Sequence, residues 1–128
     1  MYLDTDILLS LIKKEDWIKP YVDLKKIQNP KTSVFAIIEA ELVVSREYGR
    51  KDALKVMDNI SKNKIKVVNF TEEILRKSIE FMEEYEKLNI FDSVHAAFSF
   101  VLKEKIISTD SVFDSLKEIE KIDPRDMK

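Results

Sequence analysis

Acidic side chains follow several short apolar segments of the sequence, at places where the strands of a sheet would end. Asp4 follows Met-Tyr-Leu, Asp92 follows Asn-Ile-Phe, and Asp110 follows Ile-Ile-Ser-Thr. The carboxyl ends of parallel strands lie at one edge of a sheet, so acids that are distant in sequence converge there. Glu39 is a fourth candidate, because it interrupts the apolar stretch 34–44. An ionised side chain in such a stretch needs a specific reason.

Four carboxylates in one cluster repel one another and raise each other's pKa unless a cation neutralises them. Oxygen ligands, in a chain with no cysteine and one histidine, suit the hard ions Mg²⁺ and Mn²⁺ better than Zn²⁺ or Cu²⁺. One or two such ions polarise a phosphodiester and stabilise its leaving oxygen. The sequence therefore predicts metal-dependent phosphodiester hydrolysis by Asp4, Glu39, Asp92 and Asp110. Taken singly, Asp92 and Asp110 are equally well explained as helix caps.

The elements that would position these acids alternate between strands and helices. Short apolar or β-branched segments predict strands at residues 1–4, 64–68 and 105–108. The predicted helices begin at Asp6, cover residues 16–27, run from the N-cap Ser33 to Gly49, cover 51–62, run from the N-cap Thr71 to about residue 86, and begin again at Asp92. About four parallel strands with crossover helices give an α/β sandwich of three layers with a central parallel sheet.

Apolar residues at helix spacing predict one apolar face on each of the three longer helices. These faces comprise Phe35, Ile38 and Leu42 in the helix after Ser33, Ile74, Ile79 and Phe81 or Met82 in the helix after Thr71, and Val94, Ala97, Phe98 and Val101 in the helix that begins at Asp92.

Length and composition set further bounds. A chain of 128 residues, 45% hydrophobic and 36% charged, predicts one folded domain over residues 1–128. The apolar runs are much shorter than the roughly 20 residues that cross a bilayer, and the N-terminus does not resemble a secretory signal. The lack of cysteine excludes disulfides and thiol catalysis, so we expect a cytoplasmic protein. With a net charge of −2, any affinity for nucleic acid depends on a local basic patch or on bound cations.

The chain resembles the PIN-domain family, including VapC-type toxins, over nearly its whole length. The resemblance rests on Leu3-Asp4-Thr5-Asp6-Ile7-Leu8-Leu9, on Thr32-Ser33 through Glu39, on Phe91-Asp92-Ser93-Val94-His95-Ala96-Ala97, and on Ile106-Ile107-Ser108-Thr109-Asp110-Ser111-Val112-Phe113. It implies a three-layer α/β/α fold and Mg²⁺- or Mn²⁺-dependent endoribonuclease activity on RNA. As in many prokaryotic members, it also implies the toxin of a toxin-antitoxin pair, an antitoxin protein as partner, and a homodimer.

The family pattern assigns roles to individual residues. By this resemblance, Asp4 and Asp92 are the principal metal ligands, while Glu39 and Asp110 complete the set directly or through water. Thr5 matches a hydroxyl residue that forms hydrogen bonds within the site. Two positions depart from the pattern: Ser108 replaces the usual threonine and keeps its hydroxyl, and Val112 stands where a further acid is common, so a fifth ligand is doubtful.

Several alternatives stay open. Glu41 offers a second register for the helix acid, although counting six residues from Ser33 favours Glu39. Asp6, where the family often has Asn or Ser, either extends the site or caps the first helix. His95, the only histidine, either serves the site or is a packed side chain. The rival function is a catalytically silent PIN-like module that binds protein or RNA, against which the presence of all four acids argues.

Overall fold

The computed structural model describes residues 1–127 and contains five strands and five α-helices. The strands are β1 (Tyr2–Leu3), β2 (Lys31–Ser33), β3 (Lys66–Val68), β4 (Ile106–Ile107) and β5 (Lys121–Ile122). The helices are α1 (Thr5–Ile12), α2 (Val34–Tyr48), α3 (Arg50–Lys62), α4 (Glu72–Glu84) and α5 (Ile90–Leu102). Four 3₁₀ turns cover Lys19–Tyr21, Leu24–Lys26, Ser111–Ser115 and Pro124–Asp126.

All strand pairs are parallel, in the order β3-β2-β1-β4-β5. Alternate strand residues point to opposite faces of the sheet, and each face has its own core. Leu3 and Ile107 join the buried residues of α1, α2 and α3, whereas Tyr2 and Ile106 join those of α4 and α5. The structure therefore confirms the predicted three-layer α/β/α sandwich around a parallel sheet.

Several predicted elements need correction. Residues 16–27 form two 3₁₀ turns instead of a helix, because Pro20 interrupts the segment. There are five strands, and β2 and β5 were not predicted because Lys31–Ser33 and Lys121–Ile122 form no continuous apolar or β-branched run. Helix α5 begins at Ile90 with Asn89 as its N-cap, so Asp92 lies within the first turn. Helix α1 begins at Thr5, with Asp4 as its N-cap.

Helix α2 turns a different face to the core from the one that its sequence suggests, and for α4 the prediction is right for Ile74 and Phe81 only. In α2 the buried residues are Ala36, Ile37, Ala40 and Val44, while Ile38 and Leu42 are exposed. In α4, Ile74, Ser78 and Phe81 are buried, while Ile79 and Met82 are exposed. Both sequences carry apolar residues around more than half of the helix, so spacing alone does not select the buried side. Helix α5 buries Val94, Ala97 and Phe98, as predicted.

Candidate active site

The chain order places a crevice between β1 and β4. From β1 the sheet is built outward through β2 and β3, and the chain then returns to add β4 on the other side of β1. Such a reversal separates the connections that leave the carboxyl ends of the two central strands, and ligands bind in the opening. Asp4 follows β1 and Asp110 follows β4, so both lie at this crevice.

Asp4 is held rigidly at the N-terminus of α1. Its Oδ1 accepts a hydrogen bond from the Thr5 amide at 2.8 Å, and its Oδ2 accepts one from the Ser108 hydroxyl at 2.7 Å. Burial raises the pKa of Asp4, and the nearby charge of Glu39 raises it further, against the lowering effects of His95 and the two hydrogen bonds. Asp4 is thus both a helix cap and a desolvated acid whose ionised form lacks a full countercharge.

The segment after β4 is tied to α1 by two acids. The Ser108 hydroxyl, which donates to Asp4, also accepts a hydrogen bond from the Asp110 amide at 3.0 Å. Asp6 Oδ2 accepts hydrogen bonds from the Thr109 amide and hydroxyl at 2.8 Å and 2.6 Å. Its buried Oδ1 has no hydrogen-bond partner within residues 1–127. Burial, followed by the charge of Asp4, raises the pKa of Asp6 to about 6.

Glu39 lies in the second turn of α2 and points toward this crevice. Its Oε1 accepts a hydrogen bond from the Thr5 hydroxyl at 3.0 Å and contacts His95 Nε2 at 2.5 Å. Side chains two positions apart in a helix point about 200° away from each other around its axis. Glu41 therefore cannot point into the same opening as Glu39. The structure therefore brings Glu39, and not Glu41, to the group that contains Asp4.

Asp92 and Asp110 lie at the more open side of the group. Asp92 and Asn89 form a capping box at the start of α5, in which Asn89 Oδ1 accepts from the Asp92 amide at 2.8 Å and Asp92 Oδ2 accepts from the Asn89 amide at 3.4 Å. Burial raises the pKa of Asp92, and the charges of Asp110 and Asp4 add to this effect. The exposed Asp110 caps the following 3₁₀ turn by accepting from the Val112 amide at 2.9 Å. Asp110 is thus a cap, whereas Asp92 is not the N-cap of α5 but the third residue of the helix, whose side chain completes the capping box.

His95 occupies the inner wall of the site, and sequence reasoning gave it no definite role. Its Nε2 is 3.7 Å from Asp4 Oδ1 in addition to its contact with Glu39, and its Nδ1 is 2.7 Å from the Tyr2 hydroxyl. Burial lowers the pKa of His95, but the hydrogen bond to Glu39 and the charges of Asp4 and Asp92 together raise it. Tyr2 was missed entirely, since a tyrosine in a two-residue strand has no sequence pattern that reveals its partners.

The donor set suits a hard divalent cation in its chemistry, but the acids stand apart. Carboxylate oxygens predominate, and the acid pKa values raised by mutual charge and burial are those that a cation would lower again. Over residues 1–127, however, no three His, Asp or Glu side chains are close enough to hold an ion as they stand. Glu39 Oε1 contacts His95 Nε2 and accepts a hydrogen bond from the Thr5 hydroxyl. The residues thus fit Mg²⁺ or Mn²⁺ in type, and binding requires side chains to turn toward the ion.

Comparison with known proteins places the chain in a family. The model of the PIN domain matches residues 1–119, so the chain belongs to the PIN-domain family. A comparison with curated proteins finds no match. Among the described residues, no helix is both long and apolar enough to cross a membrane.

Solved structures share the fold at low sequence identity. Mycobacterium tuberculosis VapC20, described as a sarcin-ricin loop cleaving toxin, is 15% identical over 93% of this chain and 96% of its own, with a TM-score of 0.78. VapBC2 from Rickettsia felis, bound to a promoter DNA fragment, is 16% identical over 94% of this chain and 96% of the other, with a TM-score of 0.74. VapBC-1 from Haemophilus influenzae is 15% identical over 96% of both chains, with a TM-score of 0.74. At these identities the likeness shows the fold.

Proposed function

We propose that this protein is a Mg²⁺- or Mn²⁺-dependent endoribonuclease and the toxin of a toxin-antitoxin pair. The observation that carries the proposal is the convergence of Asp4, Glu39, Asp92 and Asp110 on the crevice between β1 and β4. PIN and VapC proteins are nucleases, and the structural neighbours include toxins and toxin-antitoxin complexes. We propose RNA as the substrate and the cytoplasm as the place where the protein acts.

The chain's own residues have distinct parts in this activity. When bound, a divalent cation would neutralise phosphate charge and lower the pKa of an attacking water. Asp4 and Asp92 would hold it, with Glu39 and Asp110 completing the set directly or through water. Thr5 and Ser108 orient these acids, because their hydroxyls donate to Glu39 and Asp4. Residues outside the acid cluster must supply RNA affinity, since carboxylates repel phosphate.

Partners are a further part of the proposal. An antitoxin protein would bind this chain, as the neighbours described as VapBC complexes suggest. We also propose a homodimer. Two exposed apolar stripes are available for such contacts: Val34, Ile38 and Leu42 on α2, and Leu75, Ile79 and Met82 on α4. Light scattering of the purified protein gives the oligomeric state, and a monomer at micromolar concentration would exclude the dimer.

The decisive experiment measures RNA cleavage by purified protein freed of any partner. With Mn²⁺ or Mg²⁺, the protein should cleave single-stranded or loop regions of RNA, and EDTA should stop cleavage. Asp4→Asn should lower kcat on the order of 1000-fold, because loss of a cation ligand removes several kcal/mol of transition-state stabilisation. RNA binding should change little, since it depends on other contacts.

Two outcomes would contradict the nuclease assignment. Cleavage that persists in EDTA would exclude the metal site, and so would cleavage that survives Asp4→Asn and Asp92→Asn together. RNA or protein binding without any metal-dependent cleavage would favour the alternative, a catalytically silent PIN-like binding module. Folding of each variant is checked by circular dichroism, so that loss of activity is not confused with loss of structure.

A further inference from the structure

A series of hydrogen bonds between buried polar side chains, here called the Tyr2–His95 network, leads from the sheet to Glu39. The Tyr2 hydroxyl lies 2.6 Å from Ser33 Oγ and 2.7 Å from His95 Nδ1, and His95 Nε2 lies 2.5 Å from Glu39 Oε1. Ser33 and Tyr2 have no exposed surface, and His95 is 2% exposed. We propose that Tyr2 and His95 are positioning residues that orient the Glu39 carboxylate for cation binding. This inference rests on the proposed function.

The direction of the last hydrogen bond follows from chemistry. An ionised carboxylate has no proton to donate, so the short contact with Glu39 requires the proton on His95 Nε2. This holds for the neutral ring and for the imidazolium. Tyr2 then fixes the other nitrogen, and its own ring is fixed by stacking on Phe98 at a centroid distance of 5.3 Å. His95 thus has one permitted ring orientation, with its donor aimed at Glu39.

The Tyr2–His95 network also joins the elements that carry three of the four acids. It begins at Ser33, whose hydroxyl caps α2 by accepting from the Ala36 amide at 3.2 Å, and it returns to α2 at Glu39. In between it passes through β1, which Asp4 follows, and α5, which also carries Asp92. A substitution in the Tyr2–His95 network would therefore change the distances between these acids.

Other buried hydroxyls show what a purely structural role looks like here. Ser10, Ser78 and Ser93 each donate to a backbone carbonyl three or four residues earlier, within or just before their own helix. The Tyr2–His95 network differs, because it connects residues far apart in sequence and ends on the half-buried carboxylate of Glu39 at the crevice. His95 Nε2 also lies 3.7 Å from Asp4 Oδ1. The ring therefore lies against both acids on the inner side of the site.

The first test requires no substitution. Because His95 is the only histidine, ¹⁵N-¹H correlation spectra of the imidazole report on it without ambiguity. In the metal-free protein we expect Nε2 to be protonated, and Glu39→Gln to move its ¹⁵N and ¹H signals. A neutral ring protonated at Nδ1 alone would overturn the proposal, because Nε2 would then have no proton to donate to Glu39.

The second test compares Mn²⁺ binding by wild type and variants, measured by electron paramagnetic resonance of free Mn²⁺. Tyr2→Phe and His95→Ala should weaken binding about 10-fold, as is typical when a partner that orients a metal ligand is removed. His95→Gln keeps an N–H donor and should restore part of the affinity. Tyr85→Phe is the matched control, since its hydroxyl also donates to a carboxylate, that of Glu118, outside the site. It should bind Mn²⁺ as the wild type does.

Steady-state cleavage is measured with kcat referred to the concentration of folded protein, because a smaller folded fraction also lowers the apparent kcat without changing KM. The Tyr2→Phe variant should lower kcat with little change in KM for RNA. Wild-type Mn²⁺ affinity in His95→Ala would overturn the proposal, and so would an equal loss in Tyr85→Phe. If the wild-type protein itself binds no Mn²⁺, the proposed function fails, and the positioning role toward a cation fails with it. The spectra of the metal-free protein separate these cases, because they test the hydrogen bond alone.

Discussion

The two ends of the parallel sheet carry charge in opposite ways. At the end where the strands begin, the Met1 ammonium lies 3.0 Å from Glu104, and Lys31 also pairs with Glu104. These cations lower the pKa of Glu104. At the end where the strands finish, Asp4 and Asp92 have raised pKa values, and the basic side chain that lies against Asp4 and Glu39 is His95.

We infer from this difference that the proposed activity belongs to the acid end. Paired charges at a partly exposed position add little to the free energy of unfolding, and their desolvation cost is also small. Clustered acids at a desolvated position cost stability unless a cation neutralises them. Perturbed titration at a crevice is a common property of functional sites. The acid end is therefore where the function is expected, and the paired end serves as an internal reference for tests.

The largest effect that tests this comparison concerns which acid of helix α2 the acid end needs. Glu39→Gln should lower RNA cleavage by 100-fold or more, on the order of 3 kcal/mol in transition-state stabilisation, because a ligand charge is lost. Glu41→Gln is the matched control, since it makes the same chemical change on the same helix but on another side. It should retain wild-type rates. If Glu41→Gln loses cleavage while Glu39→Gln keeps it, the site is built on the other register.

The choice between Glu39 and Glu41 also illustrates how much of the site can be predicted from the sequence. The order of acids after apolar segments, together with the family resemblance, gives the fold class, which the structure confirms, and the four acids of the proposed site. That much is local information, because a strand end and a helix cap are defined by a few neighbouring residues. The choice between Glu39 and Glu41 already needed the count from Ser33.

What the sequence could not reveal depends on contacts across the fold. Tyr2 and His95 are 93 positions apart and meet because β1 and α5 pack in the same core. The two strands that the sequence did not indicate, β2 and β5, are defined by their pairing with β1, β3 and β4 and not by pattern. The exposed sides of Ile38 and Ile79 were misjudged because apolar residues on a helix also cover surfaces other than the core.

The second prediction asks whether a cation relieves the acid end. Mn²⁺ at about 100 times its Kd should stabilise the native state by about 2.7 kcal/mol, which corresponds to a rise in Tm of roughly 5 to 10 °C. Asp92→Asn should abolish the rise and should leave the metal-free protein at least as stable, because repulsion with Asp4 and Asp110 is relieved. Calorimetry with and without Mn²⁺ measures both. An unchanged wild-type Tm at millimolar Mn²⁺ would contradict the site.

A third prediction uses the pKa of Asp6, which is about 6 in the folded protein. Below the ordinary value of 3.8, Asp6 is protonated in both the folded and the unfolded chain. As pH rises from about 4 to 6, the unfolded chain ionises first, so the free energy of unfolding should fall by about 2 kcal/mol. Asp6→Asn should remove this part of the fall. Urea unfolding in EDTA measures it, and an unchanged pH slope in the variant would show that Asp6 ionises normally.

The smallest effect is expected at the paired end, and its sign is opposite. The pKa of Glu104 is lowered by Lys31 and the Met1 ammonium, so its ionised form favours folding. This contribution is present above the unfolded value of 4.5 and is lost as pH falls through the lower folded value. Glu104→Gln should cost up to about 1 kcal/mol at pH 7, and the cost should shrink as pH falls below 4.5. Salt at 1 M should shrink the difference, because it screens partly exposed pairs. A Glu104→Gln variant as stable as the wild type at pH 7 and low salt would mean that the two ends do not differ in how their charges act on folding.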